Sequence, residues 1–164
     1  MNLLTAINSR LSRWAMYLAV AGLLGIVAVV VYGVVLRYVF NDSQAYVEQV
    51  ALILVIIVAM FGASAGVRDE GHIGMESLVG LLPERPRFVV GVIVGLLTIV
   101  FGALLFSGCL MMALSVANNT IPTLGISESV RYGPGVIAGV LIVLFSIEHL
   151  IAMYTQQEVV PSWN

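Results

Sequence analysis

A chain of 164 residues with 60% apolar and 10% charged side chains and a mean hydropathy of +1.07 is too apolar for a soluble domain, in which about 25% of residues are charged. The composition is that of an integral membrane protein. With a net charge of −2 and arginine as its one basic residue type, at seven scattered positions, the chain has no basic nucleic-acid-binding surface.

At the amino terminus, Leu4, Ile7, Leu11 and Trp14 fall at helical spacing among Asn8, Ser9, Arg10, Ser12 and Arg13. This pattern predicts a short interfacial helix leading into the first span. Residues 14–36 carry no charge, and at about 1.5 Å per residue they are long enough to cross a hydrocarbon core of roughly 30 Å. They exceed the apolar region of a cleaved signal and are expected to form an uncleaved anchor. Arg37, with Tyr38 and Phe40 beside it, closes the span at interfacial depth.

Asn41-Asp42-Ser43 supplies turn chemistry before the second span, 49–67. Glu48 at its entrance and Arg68 at its exit complement the helix dipole. The connector Arg68-Asp69-Glu70-Gly71-His72-Ile73-Gly74-Met75-Glu76 is read as a set of exposed charges. It leads into a predicted amphipathic interfacial helix, 74–82, with Met75, Leu78, Val79 and Leu82 on its apolar face. Pro83-Glu84-Arg85-Pro86-Arg87 then forms a cationic knuckle before a third span, 88–116. A polar loop over 118–133 ends at Gly133-Pro134, where the fourth span, 135–154, starts.

The fold class expected is therefore an all-α integral membrane protein of four transmembrane helices in a single membrane domain, with the short interfacial helix between the second and third. Four crossings put both termini on one side. That side holds Arg10, Arg13, Arg68, Arg85 and Arg87 against Arg37 and Arg131 on the other, which orients the termini toward the cytoplasm of a bacterial inner membrane. Gly62 and Gly66, Gly91 and Gly95, and Gly135 and Gly139 are small residues four apart, and they predict close helix crossings in a tightly packed bundle, alone or docked on a partner.

Groups that carry chemistry are sparse. Glu148-His149 is the one ionisable pair inside an apolar run, and an acid in a membrane marks a site or a partner. Glu148 is within reach of the headgroups, of a connector arginine or of a partner subunit. The lone cysteine, Cys109, is a packing residue. Two histidines, one of them in the connector, do not make a haem pocket, and zinc ligands are too few. No catalytic dyad, cofactor site or metal site is expected. A solute route made of broken helices and midplane polar residues is missing as well.

In order and spacing, Leu36-Arg37-Tyr38-Val39-Phe40-Asn41, Tyr46-Val47-Glu48-Gln49, Arg68 with Gly71-His72-Ile73, and Ile121-Pro122-Thr123-Leu124-Gly125-Ile126 resemble the small membrane subunit, DctQ type, of tripartite ATP-independent periplasmic (TRAP) transporters. The resemblance covers nearly the whole chain. It implies an accessory scaffold subunit that works with a large permease and a periplasmic solute-binding protein. The system it implies is secondary-active and sodium-coupled, and imports carboxylate-bearing solutes. Glu48-Gln49 stands where the family often has an acidic pair, and Tyr46 where it has Trp. Candidate structural or partner-contact residues are Arg37, Glu48, Arg68, His72, Leu78, Leu82 and Glu148, with membrane lipid as a further partner. Two alternatives are a membrane anchor for a redox enzyme and a small homodimeric exporter.

Overall fold

Lipid offers the backbone no hydrogen-bond partner, so a crossing run of Leu, Val, Ile and Ala settles into a helix that closes its own N–H and C=O groups. The computed structural model describes residues 2–42, 44–69 and 84–155. Its helices are α1 (Asn2–Val39), α2 (Ala45–Asp69), α3 (Glu84–Ser115) and α4 (Gly133–Thr155). Each is long and apolar enough to span a membrane. The fold is all-α, and among the described residues it contains no strand beyond one isolated bridge between Thr120 and Ser127. The predicted interfacial helix 74–82, with Leu78, Leu82 and the neighbouring His72, lies outside the described residues.

One predicted boundary is corrected. The amino-terminal stretch is no separate interfacial helix, since α1 runs unbroken for 38 residues. Its polarity is also the reverse of the expected one: Asn8, Ser12 and Ala15, at positions i, i+4 and i+7, are buried, while Ile7 and Trp14 are 51% and 68% exposed. The physical reason is that Asn8 and Ser12 find buried acceptors on other helices, which holds the polar stripe inward.

The helices stand in a row and do not close into a bundle. α1 packs on α2, α2 on α4 and α4 on α3; α1 meets α4 sparingly, and among the described residues α1 and α3 do not touch. The expected bundle is thus an open layer with α2 and α4 at its centre. Its core is Ala15, Phe61, Ala65, Leu141 and Phe145, with Leu11, Met16, Ala19, Ile57 and Val67 packed around them. α2 and α4 each keep one exposed stripe, Glu48, Leu52, Val55, Ala59 and Ala63 on the first and Ile137, Val140, Ile147, Ile151 and Tyr154 on the second. The outer faces of α1 and α3 are apolar and exposed along their length.

Glycine sets the spacing at two seams. A Cβ at Gly139 would sit 2.7 Å from the Phe106 backbone nitrogen and 2.9 Å from Gly102 O, so α3 and α4 cross nearly backbone to backbone. Gly91 and Gly95 lie beneath Met153 and Leu150, and Gly135 lies against Cys109, which makes that half-buried thiol the packing residue expected. Between α1 and α2 the notches are Gly22 under Val58 and Gly33 under Val47, a pair that the four-residue spacing does not reveal.

The α1–α2 and α3–α4 connections are held by hydrogen bonds of their own backbone. Asn41 takes a left-handed φ of 53°, a conformation Asn tolerates, and the Asp42 N–H turns back to Leu36 O at 3.1 Å. In the α3–α4 loop, the Ile121 N–H donates to Ile126 O at 2.8 Å, the Gly125 N–H donates to Ile121 O at 2.9 Å, and the Ile121 side chain is buried. Gly125 has φ 66°, which only glycine adopts at little cost. A short 3-10 helix, Glu128–Arg131, capped by Ser127, then feeds α4.

Candidate functional site

Because α2 and α4 both run from the distal end of the layer to the proximal end, where α1 starts, their last polar residues arrive at one place. α2 ends in Arg68 and Asp69, α4 brings Glu148 and His149, and α1 contributes Asn8 and Ser12 from its own first turns. All six are buried.

Arg68 is the centre of the cluster. Its Nε and Nη2 donate to Glu148 Oε2 and Oε1 at 3.3 and 3.4 Å, and Nη1 donates to Asp69 Oδ1 at 3.2 Å. α1 adds a further donor to each acid. Asn8 Nδ2 donates to Glu148 Oε2 at 2.8 Å, and Ser12 Oγ donates to Asp69 Oδ2 at 2.9 Å. His149 Nε2 lies 2.9 Å from Arg68 O; since a carbonyl only accepts, the Nε2 proton is the donor, and the ring caps the end of α2. Ser64, one turn earlier, returns its hydroxyl to Phe61 O. Ser146 is buried with its Oγ unbonded among the described residues.

The expectation that the connector charges are exposed pairs, each worth about 0–1 kcal/mol, is corrected for Arg68 and Asp69. Their side chains are 0% and 2% exposed. A buried ion pair is weak evidence for net stability, but removing one member strands the other, at about 3–5 kcal/mol.

A second, smaller polar pin closes the distal end of the same helix pair. Arg131 bonds Glu128 Oε1 at 3.3 Å and Gln49 Oε1 on α2. Gln49 and Arg68 are separated by about 29 Å of helix at 1.5 Å per residue, close to the roughly 30 Å thickness of a hydrocarbon core. Arg37 and Glu48 are exposed at that distal end and belong to neither cluster.

Asn8, Ser12 and the Gln49–Arg131 contact escaped the sequence reading. The one available signal was the i, i+4, i+7 spacing of Asn8, Ser12 and Ala15, a small polar stripe on a helix that otherwise faces oil. Nothing in the cluster is arranged for catalysis, and the described residues hold no group of three or more His, Cys, Asp or Glu side chains placed to bind a metal.

The described residues form a four-span helical layer with a polar pin at each end, the architecture of an integral membrane protein. The comparisons make the class specific. Residues 26–156 match the family described as tripartite ATP-independent periplasmic transporters, DctQ component, and the chain belongs to that family. It is thus a TRAP transporter small permease subunit, a transport component, and membership favours neither the redox anchor nor the exporter. A Haemophilus influenzae protein named as a TRAP transporter small permease protein is 27% identical over 80% of this chain and 81% of its own length. The Vibrio cholerae C4-dicarboxylate TRAP transporter small permease protein DctQ is 29% identical over 46% of this chain and 32% of its own. The Haemophilus influenzae sialic acid TRAP transporter permease protein SiaT is 28% identical over 56% of this chain and 14% of its own. Small subunits of this family work with a large permease and a periplasmic binding protein.

Proposed function

We propose that this chain is the accessory scaffold subunit of a secondary-active, sodium-coupled importer of carboxylate-bearing solutes, of the dicarboxylate or sugar-acid class. It sits in a bacterial inner membrane with both termini in the cytoplasm. The observation that carries the reading is how the interior polar groups are used. Arg68, Asp69, Glu148, Asn8 and Ser12 satisfy one another, so they tie helices together and do not line a route for a solute. Between the two pins the central helices meet through Phe61, Ala65, Leu141 and Phe145, an apolar seam.

The relatives support the solute class and the partner. Two carry C4-dicarboxylate and sialic acid in their names, and both of those solutes bear carboxylates. The SiaT match covers 14% of that protein, so a region like this chain occurs there inside a longer permease polypeptide, the arrangement expected if the two normally pack together. The apolar outer faces of α1 and α3 supply the area for such a partner and for lipid. Arg37 and Glu48 at the distal end, His72 in the connector, and Leu78 and Leu82 on the predicted interfacial helix are proposed as contacts to the partner or to headgroups.

Reconstitution tests the reading. Liposomes holding this chain alone are expected to show no organic-acid uptake under a sodium gradient, whereas those holding it with its large permease and binding protein take up solute. Sodium-dependent uptake by the chain alone sinks the accessory role.

A further inference from the structure

The proximal cluster joins three helices by bonds of a different kind from the rest of their contacts. In lipid no hydrophobic force drives helices together, and small residues let their backbones approach closely. The α1–α2 seam is notched in this way: Ala19 opposite Gly62, Gly22 under Val58, Gly25 beside Leu54 and Gly33 under Val47. Hydrogen bonds to buried charges differ in being short, directional and lost outright by a slide of a few ångströms.

We propose that the Arg68 cluster is a register key, whose task is to fix the axial position of α1 against the α2–α4 pair. Arg68 aligns α2 with α4 through Glu148. Asn8 then donates to Glu148 and Ser12 to Asp69, acids belonging to two different helices. Asn8 and Ser12, one helical turn apart on α1, can reach both acids in one axial position only. A one-turn slide of about 5.4 Å would carry both donors away from their acids and leave buried acceptors unfilled. Specifying register at some cost in stability is the best-attested use of buried polar groups. The key accounts for the inward-turned polar stripe of α1, which neither lipid contact nor the apolar core calls for.

Disulfide trapping in membranes reads the register directly. A Cβ at Gly62 lies 4.0 Å from the Ala19 Cβ, within the span a disulfide bridges, so Ala19→Cys with Gly62→Cys on a Cys109→Ala background reports the native position. Ala19→Cys with Gly66→Cys and Ala19→Cys with Val58→Cys report slides of one turn each way. With the key intact, the 19–62 product should dominate. Asn8→Leu with Ser12→Ala keeps Arg68 paired to both acids but removes the α1 half of the key, and should raise the one-turn products by at least about tenfold relative to 19–62, the size expected for losing even one hydrogen bond to a charged group. Ile7→Ala with Arg13→Gln, at exposed positions in the same turns, should leave the pattern unchanged. If the double variant does not accumulate, Ser12→Ala alone removes one bond and should still give a measurable rise in the one-turn products. An unchanged 19–62 pattern in whichever of these variants accumulates, or an equal rise in the exposed-site control, overturns the key.

Discussion

Arg68 and Glu148, 80 residues apart in the chain, face each other through two hydrogen bonds at 3.3 and 3.4 Å, with both side chains out of solvent. The pair ties the end of α2 to the last turns of α4 and holds the proximal end of the layer together.

Breaking the pair from one side should therefore cost far more than removing it whole. Arg68→Met takes the guanidinium from two buried carboxylates and is expected to lower stability by about 3–5 kcal/mol, while Arg68→Met with Glu148→Met recovers the part of that loss carried by Glu148. Thermal unfolding of the purified protein in detergent measures both. A single variant as stable as the parent would mean that water reaches the acids.

The glycine seam predicts a position-specific response. Gly139→Ala places a methyl against the Phe106 backbone, which cannot give way without separating α3 from α4, at about 1–3 kcal/mol. Gly108 on the same seam's outer side has nothing within 4 Å of a new Cβ, so Gly108→Ala should be neutral or stabilise by up to about 1 kcal/mol through helix propensity. The same melting measurement separates the two; equal losses would contradict the close crossing.

The proposed orientation rests on five arginines against two. On a Cys109→Ala background, a cysteine at Thr123, exposed in the α3–α4 loop, should react with an impermeant thiol reagent added to the periplasm, and one at Tyr154 should not. Labelling in the opposite sense would overturn the arginine count.

The apolar face of the predicted interfacial helix 74–82 should matter more to transport than the charge at Glu76. If Leu78 and Leu82 are buried against the membrane as that helix predicts, at about 1.5–3 kcal/mol per side chain, Leu78→Asp with Leu82→Asp is expected to reduce uptake by the complete transporter strongly, with Glu76→Ala close to the parent. Uptake at matched membrane levels decides it, and equal rates in the double variant and the parent would remove the contact role proposed for Leu78 and Leu82.

By itself the sequence determined what composition and one-dimensional pattern control. Four uncharged runs must become helices because lipid leaves the backbone no alternative, and their flanking arginines set the expected orientation. The motifs around Arg37, Glu48 and Ile121 carried the family, and the Gly135 and Gly139 pair marked a true crossing. Tertiary structure alone decided where the polar residues go. Asn8 and Ser12 look like the wet side of an interfacial helix until Glu148 and Asp69, contributed by two other helices, are placed beside them. Arg68 reads as a surface cation until α4 covers it. An open row and a closed bundle have the same hydropathy profile, because each buries one stripe per helix and leaves the rest to lipid. The difference lies in which stripes meet, and that depends on hydrogen bonds between residues 57 to 140 positions apart, a separation at which local spacing carries no signal.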